Sequence, residues 1–254
     1  MKTDLFQSQF IPAKINSPRL MIVLHGKGDS LDPFSEFDRE LRLYDMNYLL
    51  LNAPQRFMGG FSWYKEPPKM MDEVSVVREK MLQLMESLFQ EGWKPENIFL
   101  FGFSQGCLIS ADLALNLPYQ LGGVIGISGY FHFFPRWRKK LNVSMVQTPW
   151  LMTHGFRDDI LPIGTTKFGV RKLRDAGYSV DLIEMNKGHV LKENEYPLIR
   201  KWIQKQVKYL RDESQRVRES STTDLLLPPA SAFDHRIEKL PPQAGLDRSE
   251  SADQ

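Results

Sequence analysis

The chain has 254 residues, of which 42% are hydrophobic, and this is enough to bury the core of one sizeable domain. Its formal net charge is only +2 and its basic residues are scattered, so the composition does not indicate a nucleic-acid or anionic-membrane partner. The single cysteine, Cys107, excludes an internal disulfide and a metal cluster held by several thiolates, which fits a reducing compartment.

The hydrophobic pattern predicts a cytoplasmic location. Residues 1–5 contain no long apolar segment of the kind found in a secretory signal. The longest apolar runs, such as residues 20–24 and 49–51, are far too short to cross a bilayer. We therefore expect neither a secretory signal nor a transmembrane segment.

Along the chain, apolar runs that predict strands alternate with segments whose apolar residues recur at helical spacing. Strands are predicted at residues 19–24, 48–51, in the run that precedes Ser104, and at 121–128, 149–154 and 180–185. Helices are predicted at residues 33–44, 72–90, 107–117 and 165–176, and in a last segment that includes Ile199 and Leu210. This order is typical of an α/β fold with a mainly parallel central sheet and helices on both faces.

The composition changes near the C-terminus. Residues 212–254 are rich in serine, proline and charged residues with little periodic hydrophobicity, so we predict a domain over residues 1–211 and a disordered tail over 212–254. Residues 225–229 form one apolar island in that tail, which is either a docking motif, a segment that packs on the domain or a run of incidental leucines.

The sequence G-F-S-Q-G over residues 102–106 has the pattern of a nucleophile elbow centred on Ser104. An apolar strand precedes it and a helix-compatible segment follows, as this tight turn requires. The residues two positions before and after the serine must be small for the turn to pack closely. The alternative is a glycine-rich turn whose serine only caps the helix.

Candidate partners for Ser104 follow other predicted strands, where active groups gather in open α/β sheets. His189 follows the last strand and is the predicted base, and Asp158 follows the strand that ends at His154. The chain order Ser, Asp, His is that expected for this type of fold. Asp158 and Asp159 are adjacent, and spacing alone does not choose between them.

The other four histidines are expected to have no catalytic role. His25, within a glycine turn, is predicted to hydrogen-bond its loop, and His154 is predicted to be a packing residue. His132 lies among aromatic residues, and His235 lies in the predicted tail.

A serine nucleophile also needs two fixed N–H donors for the developing oxyanion. The predicted donors are the backbone N–H groups of Gln105, directly after the serine, and of Lys27, in the loop after the first predicted strand. The segment 55–68 is predicted to be a loop whose aromatic residues either line an acyl pocket or belong to the core. Trp63 is the predicted substrate-binding residue among them.

Several of these segments together resemble the phospholipase/carboxylesterase family of α/β hydrolases, which includes the acyl-protein thioesterases. The matching segments are L-H-G-K-G-D at 24–29, A-P at 53–54, S-W-Y at 62–64, G-F-S-Q-G at 102–106, I-S-G-Y at 127–130, H-G-x-x-D at 154–158 and G-H at 188–189. The resemblance spans residues 20–210 and implies an α/β-hydrolase fold. It favours Asp158 over Asp159, because the acid of the family lies four residues after the His-Gly histidine.

The chain departs from the family pattern at four positions near these motifs. Phe156 stands where the family often has an acidic or amide residue, and Asp159 where a proline is common. Lys27 replaces a residue that is frequently apolar, and Cys107 one that is very small. The side chain of Lys27 could alter substrate preference while its N–H stays in place.

The resemblance implies a serine hydrolase that cleaves carboxylic esters or thioesters through an acyl-enzyme and needs no cofactor or metal. Its substrates would be small esters or thioesters, lysophospholipids or acylated proteins. Two alternatives stay open: an acyltransferase or peptidase with the same side chains, and a catalytically silent binding module. The sequence leaves the oligomeric state open.

Overall fold

The computed structural model describes residues 4–131 and 146–225. The described residues up to Asp212 form one compact unit. The strands are β1 Ser8–Ile11, β2 Leu20–Leu24, β3 Asn47–Leu51, β4 Gln55–Phe57, β5 Gly60–Ser62, β6 Ile98–Phe103, β7 Gly123–Ile127, β8 Trp150–Gly155 and β9 Val180–Met185. The α-helices are α1 Phe37–Leu41, α2 Met70–Gln90, α3 Gln105–Ala114, α4 Ile163–Asp175 and α5 Glu195–Leu225.

Seven of these strands form one sheet in the order β1-β3-β2-β6-β7-β8-β9. All neighbouring pairs are parallel except β1 and β3, which are antiparallel. The predicted mainly parallel sheet is therefore confirmed. Because β2, β6, β8 and β9 run in the same direction, the loops that follow them emerge at one edge of the sheet.

Both faces of this sheet are covered, as the apolar runs of its central strands predict. Alternate residues of β2 belong to two hydrophobic clusters, one on each face of the sheet. Ile22 lies in the same cluster as Val74 of α2, whereas Val23 lies in the cluster on the opposite face. The cluster on that opposite face also contains Phe37 of α1 and Ile203 of α5. Helices on both sides thus fix the sheet and, with it, the positions of its strand ends.

Three features of this part of the fold differ from the sequence-based expectations. The predicted helix 33–44 is reduced to a 3₁₀ turn at Asp32–Phe34 and the short α1, because Arg42 adopts a left-handed conformation with φ of 53° and ends it. The predicted loop 55–68 contains the β4–β5 hairpin, and the edge strand β1 was not predicted.

Helix α5 continues past the predicted boundary at residue 211, and residues 212–225, the last that the structure describes, are helical rather than disordered. The rest of the predicted tail, including most of its apolar island, lies outside the described residues. Among the helices of the described residues, none is long and apolar enough to span a bilayer. The cytoplasmic location stays a prediction.

Candidate active site

Ser104 occupies a strained turn between β6 and α3. Its backbone has φ of 52° and ψ of −113°, a conformation that costs energy for a residue with a Cβ. A Cβ at Gly102 would lie 2.3 Å from the carbonyl oxygen of Gly106, and one at Gly106 would lie 2.2 Å from that of Leu24. Backbone atoms thus exclude a side chain at both positions. The turn depends on the two glycines, as the motif predicts.

His189 lies between the hydroxyl of Ser104 and the carboxylate of Asp158. Its Nε2 atom is 2.9 Å from Ser104 Oγ, and its Nδ1 atom is 2.8 Å from Asp158 Oδ2. A carboxylate only accepts, so Nδ1 carries a proton, and in the neutral ring Nε2 is free to accept one from the hydroxyl. The structure therefore brings the three predicted side chains together. Asp159 is exposed and takes no part in this chain of hydrogen bonds.

Asp158 is held as an ionised carboxylate. Burial acts to raise its pKa, but hydrogen bonds from the Leu161 N–H and from His189 outweigh burial and leave the pKa below its ordinary value. The Oδ1 atom accepts from the N–H groups of Ile160 at 3.1 Å and Leu161 at 2.8 Å. These bonds fix the carboxylate and leave Oδ2 for the imidazole.

His25 holds its own loop, as predicted. Its Nε2 accepts from the N–H of Ala53 at 3.0 Å, so the proton lies on Nδ1, 2.6 Å from the carbonyl oxygen of Gly26. Burial lowers the pKa of this ring, which favours the neutral form. The loop that contains Lys27 is thus fixed on one side by an imidazole with a defined tautomer.

His154 is fully buried in the structure, as predicted for a packing residue. Its Nε2 donates to the carbonyl oxygen of Leu161 at 2.7 Å and lies 3.2 Å from Asp158 Oδ2, while Nδ1 is 2.8 Å from Thr166 Oγ1. Burial lowers the pKa of His154. His132 and His235 lie outside the described residues.

The two predicted N–H donors lie on segments that flank Ser104. A Cβ at Gly26 would be 3.4 Å from Ser104 Cβ, so the loop containing Lys27 passes directly beside the serine. Gln105 begins α3 immediately after it. Within the described residues, neither the Lys27 N–H nor the Gln105 N–H has a hydrogen-bond acceptor. The Lys27 side chain extends to Glu66, with Nζ 2.7 Å from Oε1.

The side chain of Gln105 ties the segment after β5 to the start of α3. Its Oε1 accepts from the Trp63 N–H at 3.0 Å and from Ser62 Oγ at 3.1 Å, and its Nε2 donates to the Tyr64 carbonyl at 2.8 Å. All of these groups are buried. This anchoring role was not predicted from the sequence.

The prediction that Trp63 binds substrate is not supported by its position. The side chain is fully buried, and its Nε1 donates to the carbonyl oxygen of His25 at 2.8 Å. Its ring lies against those of Phe6 and His25, at centroid distances of 6.0 and 5.5 Å. Trp63 belongs to the hydrophobic core, because strand β5, which precedes it, is buried and its indole packs inwards.

A buried ion pair beside the site was not predicted from the sequence. Lys187 and Glu195 form a fully buried ion pair on either side of the segment that contains His189.

Cys107 is buried, and burial raises the pKa of its thiol to about 12. Among the described residues, no group of three or more histidine, cysteine, aspartate or glutamate side chains could hold a metal ion.

Comparison with known proteins identifies relatives of this chain. The sequence model of the family described as Phospholipase/Carboxylesterase matches residues 8–207. A probable inactive carboxylesterase from Oryza sativa subsp. japonica is 27% identical over 76% of this chain and 88% of its own. Acyl-protein thioesterase 1 from Saccharomyces cerevisiae is 28% identical over 61% of this chain and 77% of its own.

The fold is shared with solved structures. The crystal structure of SOBER1 from Arabidopsis thaliana superposes with a TM-score of 0.69 and 24% identity, over 74% of this chain and 99% of that one. The Bacillus cereus carboxylesterase gives a TM-score of 0.69 at 18% identity, over 80% and 95% of the two chains. Together with the sheet order and the family match, these structural similarities confirm the predicted α/β-hydrolase fold.

Proposed function

The chain belongs to the phospholipase/carboxylesterase family of α/β hydrolases, and we propose that it is a serine hydrolase that cleaves carboxylic esters or thioesters. The observation that carries the proposal is the hydrogen-bonded series from Ser104 through His189 to Asp158. A serine hydroxyl is too weak an acid to attack alone, and this arrangement supplies a base with a fixed tautomer.

In the proposed first step, Ser104 Oγ attacks the acyl carbonyl carbon and its proton passes to His189 Nε2. Asp158 stabilises the resulting imidazolium through Nδ1–H. The carbonyl oxygen becomes an oxyanion and accepts from the N–H groups of Lys27 and Gln105. Removal of one such donor typically costs about 100- to 1,000-fold in rate.

The tetrahedral intermediate then collapses. The bond to the alcohol or thiol breaks, His189 gives its proton to the leaving group, and an acyl-enzyme on Ser104 is left. Water, deprotonated by His189, attacks the acyl carbon, and the bond to Ser104 Oγ breaks as the proton returns to the serine. The cycle consumes one water, releases a carboxylic acid and needs neither cofactor nor metal.

The proposed substrates are small esters and thioesters, with acylated proteins and lysophospholipids as larger candidates. The name of the yeast relative, acyl-protein thioesterase 1, supports the thioester class. The proposed oxyanion site binds the carbonyl oxygen of the acyl group, and His189 can give its proton to an alcohol or a thiol leaving group, so both substrate classes are compatible with the mechanism.

A catalytically silent binding module is the second candidate, because one of the relatives is named a probable inactive carboxylesterase. The geometry of this chain favours the active candidate. The serine hydroxyl, imidazole and carboxylate are all present and lie within 2.9 Å of their neighbours in the series.

The two candidates are separated by turnover of a p-nitrophenyl ester by the wild type, Ser104→Ala and Ser110→Ala. Ser110 is a matched control, since it lies on the adjacent helix α3 and its buried hydroxyl has no hydrogen-bond partner among the described residues. We expect turnover by the wild type and by Ser110→Ala only. Wild-type turnover that persists in Ser104→Ala would contradict the proposed nucleophile, and a silent wild type would favour the binding module.

A further inference from the structure

The ammonium group of Lys187 is completely buried and fully hydrogen-bonded. It donates to both carboxylate oxygens of Glu195, at 2.7 and 2.8 Å, and to the carbonyl oxygen of Val190 at 2.9 Å. An ammonium has three N–H groups, so these contacts use all of them. Lys187 and Val190 are the residues on either side of Gly188 and His189, and the side chain therefore closes a loop around the histidine.

Glu195 connects this loop to two other elements. It is the first residue of α5, and its Oε2 atom also accepts from the N–H of Lys192 at 2.8 Å. Its Oε1 atom accepts from the hydroxyl of Thr153 in β8, the residue before His154. The carboxylate thus holds the histidine segment against both the sheet and the last helix.

The backbone of Lys187 makes a further connection to the segment of Asp158. The N–H of Arg157 donates to the Lys187 carbonyl at 3.2 Å. A Cβ at Gly155 would lie 2.0 Å from the same carbonyl oxygen, so the two segments are in direct backbone contact. The segments of His189 and Asp158 are therefore fixed relative to each other next to the ion pair.

Stability alone is a weak explanation for this pair. Removal of two charges from water is expensive, and replacement of a buried ion pair by apolar residues of similar volume is often neutral or stabilising. Apolar residues, however, could not bond the Val190 carbonyl, the Lys192 N–H or the Thr153 hydroxyl. Without these hydrogen bonds, the backbone on both sides of His189 would no longer be held in one position.

We propose that Lys187 and Glu195 are positioning residues that hold His189 in line between Ser104 and Asp158. This inference rests on the proposed serine hydrolase function. Neither residue touches the reacting atoms, and both act through the backbone of residues 187–190. A displacement of about 1 Å at a catalytic group can cost about 100-fold in rate.

The test is the double variant Lys187→Met/Glu195→Leu, with Arg78→Met/Asp112→Leu as a matched control. Arg78 and Asp112 form a largely buried ion pair between α2 and α3. We expect kcat for a p-nitrophenyl ester to fall about 100-fold in the first double variant with KM within about twofold of wild type. The control should lose less than about threefold in kcat.

Proton NMR gives a readout independent of turnover. The His189 Nδ1–H that is bonded to Asp158 should give a downfield imidazole resonance in the wild type, which Asp158→Asn identifies by removing it. We expect this signal to be lost or broadened in Lys187→Met/Glu195→Leu and unchanged in the control. Circular dichroism checks that both variants are folded.

Wild-type kcat together with an unchanged downfield signal in the folded double variant would overturn the proposal. If the double variant does not fold, the same measurements are made on Glu195→Gln, which keeps one acceptor oxygen for Lys187, and a drop of about 10-fold in kcat is expected there. A wild type without turnover would contradict the proposed function, while the NMR comparison would still test the positioning of His189.

Discussion

His189 Nε2 lies 2.9 Å from Ser104 Oγ, although the two residues are 85 positions apart in the chain. The sheet explains this approach. β6 leads into Ser104 and β9 precedes His189, and both strands run in the same direction within one parallel set. Their C-terminal ends therefore meet at one edge, where the hydroxyl and the imidazole come into contact.

Asp158 is expected to be essential to the proposed reaction, whereas Asp159 is not. Asp158→Asn should lower kcat by about 10,000-fold, because an amide at this position favours the wrong imidazole tautomer and does not stabilise the imidazolium. Asp159→Asn is the matched control, since Asp159 is exposed and adjacent. Steady-state turnover of the two variants checks this. A large loss in Asp159→Asn alone would show that the other carboxylate is the partner.

The glycines of the Ser104 turn should tolerate no side chain. In Gly106→Ala, the new methyl group would lie 2.2 Å from the carbonyl oxygen of Leu24, and backbone cannot move aside cheaply. We expect the free energy of unfolding to fall by about 3 kcal/mol, with loss of turnover.

Gly164→Ala is the control for that substitution, because a Cβ at Gly164 would meet no atom within 4 Å. It should change the free energy of unfolding by less than about 1 kcal/mol and leave kcat unaltered. Chemical denaturation and ester turnover measure both. Equal effects of the two substitutions would show that close packing at the turn is not limiting.

Much of this site could be predicted because its residues lie in the segments that follow the C-terminal ends of strands. Ser104 follows an apolar segment and His189 follows an alternating one, both of which the sequence predicts to be strands, and parallel pairing brings such strand ends together whatever their separation in the chain. The choice between Asp158 and Asp159 could not be made from spacing, because adjacent residues share the same strand end. The structure separates them by burial and by their hydrogen bonds.

The missed features depend on contacts with distant parts of the chain. Trp63 lies in an aromatic segment that resembles a pocket wall, but the hairpin turns its indole towards the carbonyl of His25. The pairing of Lys187 with Glu195 depends on where α5 begins relative to β9 and on the hydroxyl of Thr153. A lysine and a glutamate eight positions apart give no such signal, since most charged residues are solvated.

Cys107 is expected to be unreactive in the folded protein. With its pKa raised to about 12 by burial, only about one thiol in ten thousand would be ionised near pH 8, and thiolate is the reactive form. Iodoacetamide should therefore leave Cys107 unmodified and the activity unchanged, whereas the same treatment in denaturant should modify it fully. Mass spectrometry measures the difference. Rapid modification of the folded protein would contradict its burial.

The stability of the protein should fall as the pH decreases below about 6.5, the ordinary pKa of histidine. Burial lowers the pKa values of His25 and His154, so unfolded chains bind protons at these rings before folded ones do. Their contribution to stability is complete above about pH 6.5 and is lost below it, with a slope of at most about 1.4 kcal/mol per pH unit for each ring.

Denaturation of wild type and His154→Gln at several pH values tests this dependence. Glutamine can still donate to the Leu161 carbonyl but does not titrate, so the variant should have the shallower slope below about pH 6.5. Identical slopes would indicate that His154 is protonated equally in the folded and unfolded states.

Covalent labelling shows whether Ser104 is a nucleophile activated by His189. A fluorophosphonate reacts with an activated serine, and peptide mapping identifies the modified residue. We predict a single label on Ser104 in the wild type, with a much slower reaction after His189→Gln. Absence of labelling, or a label on another serine with Ser104 unmodified, would exclude Ser104 as the activated nucleophile.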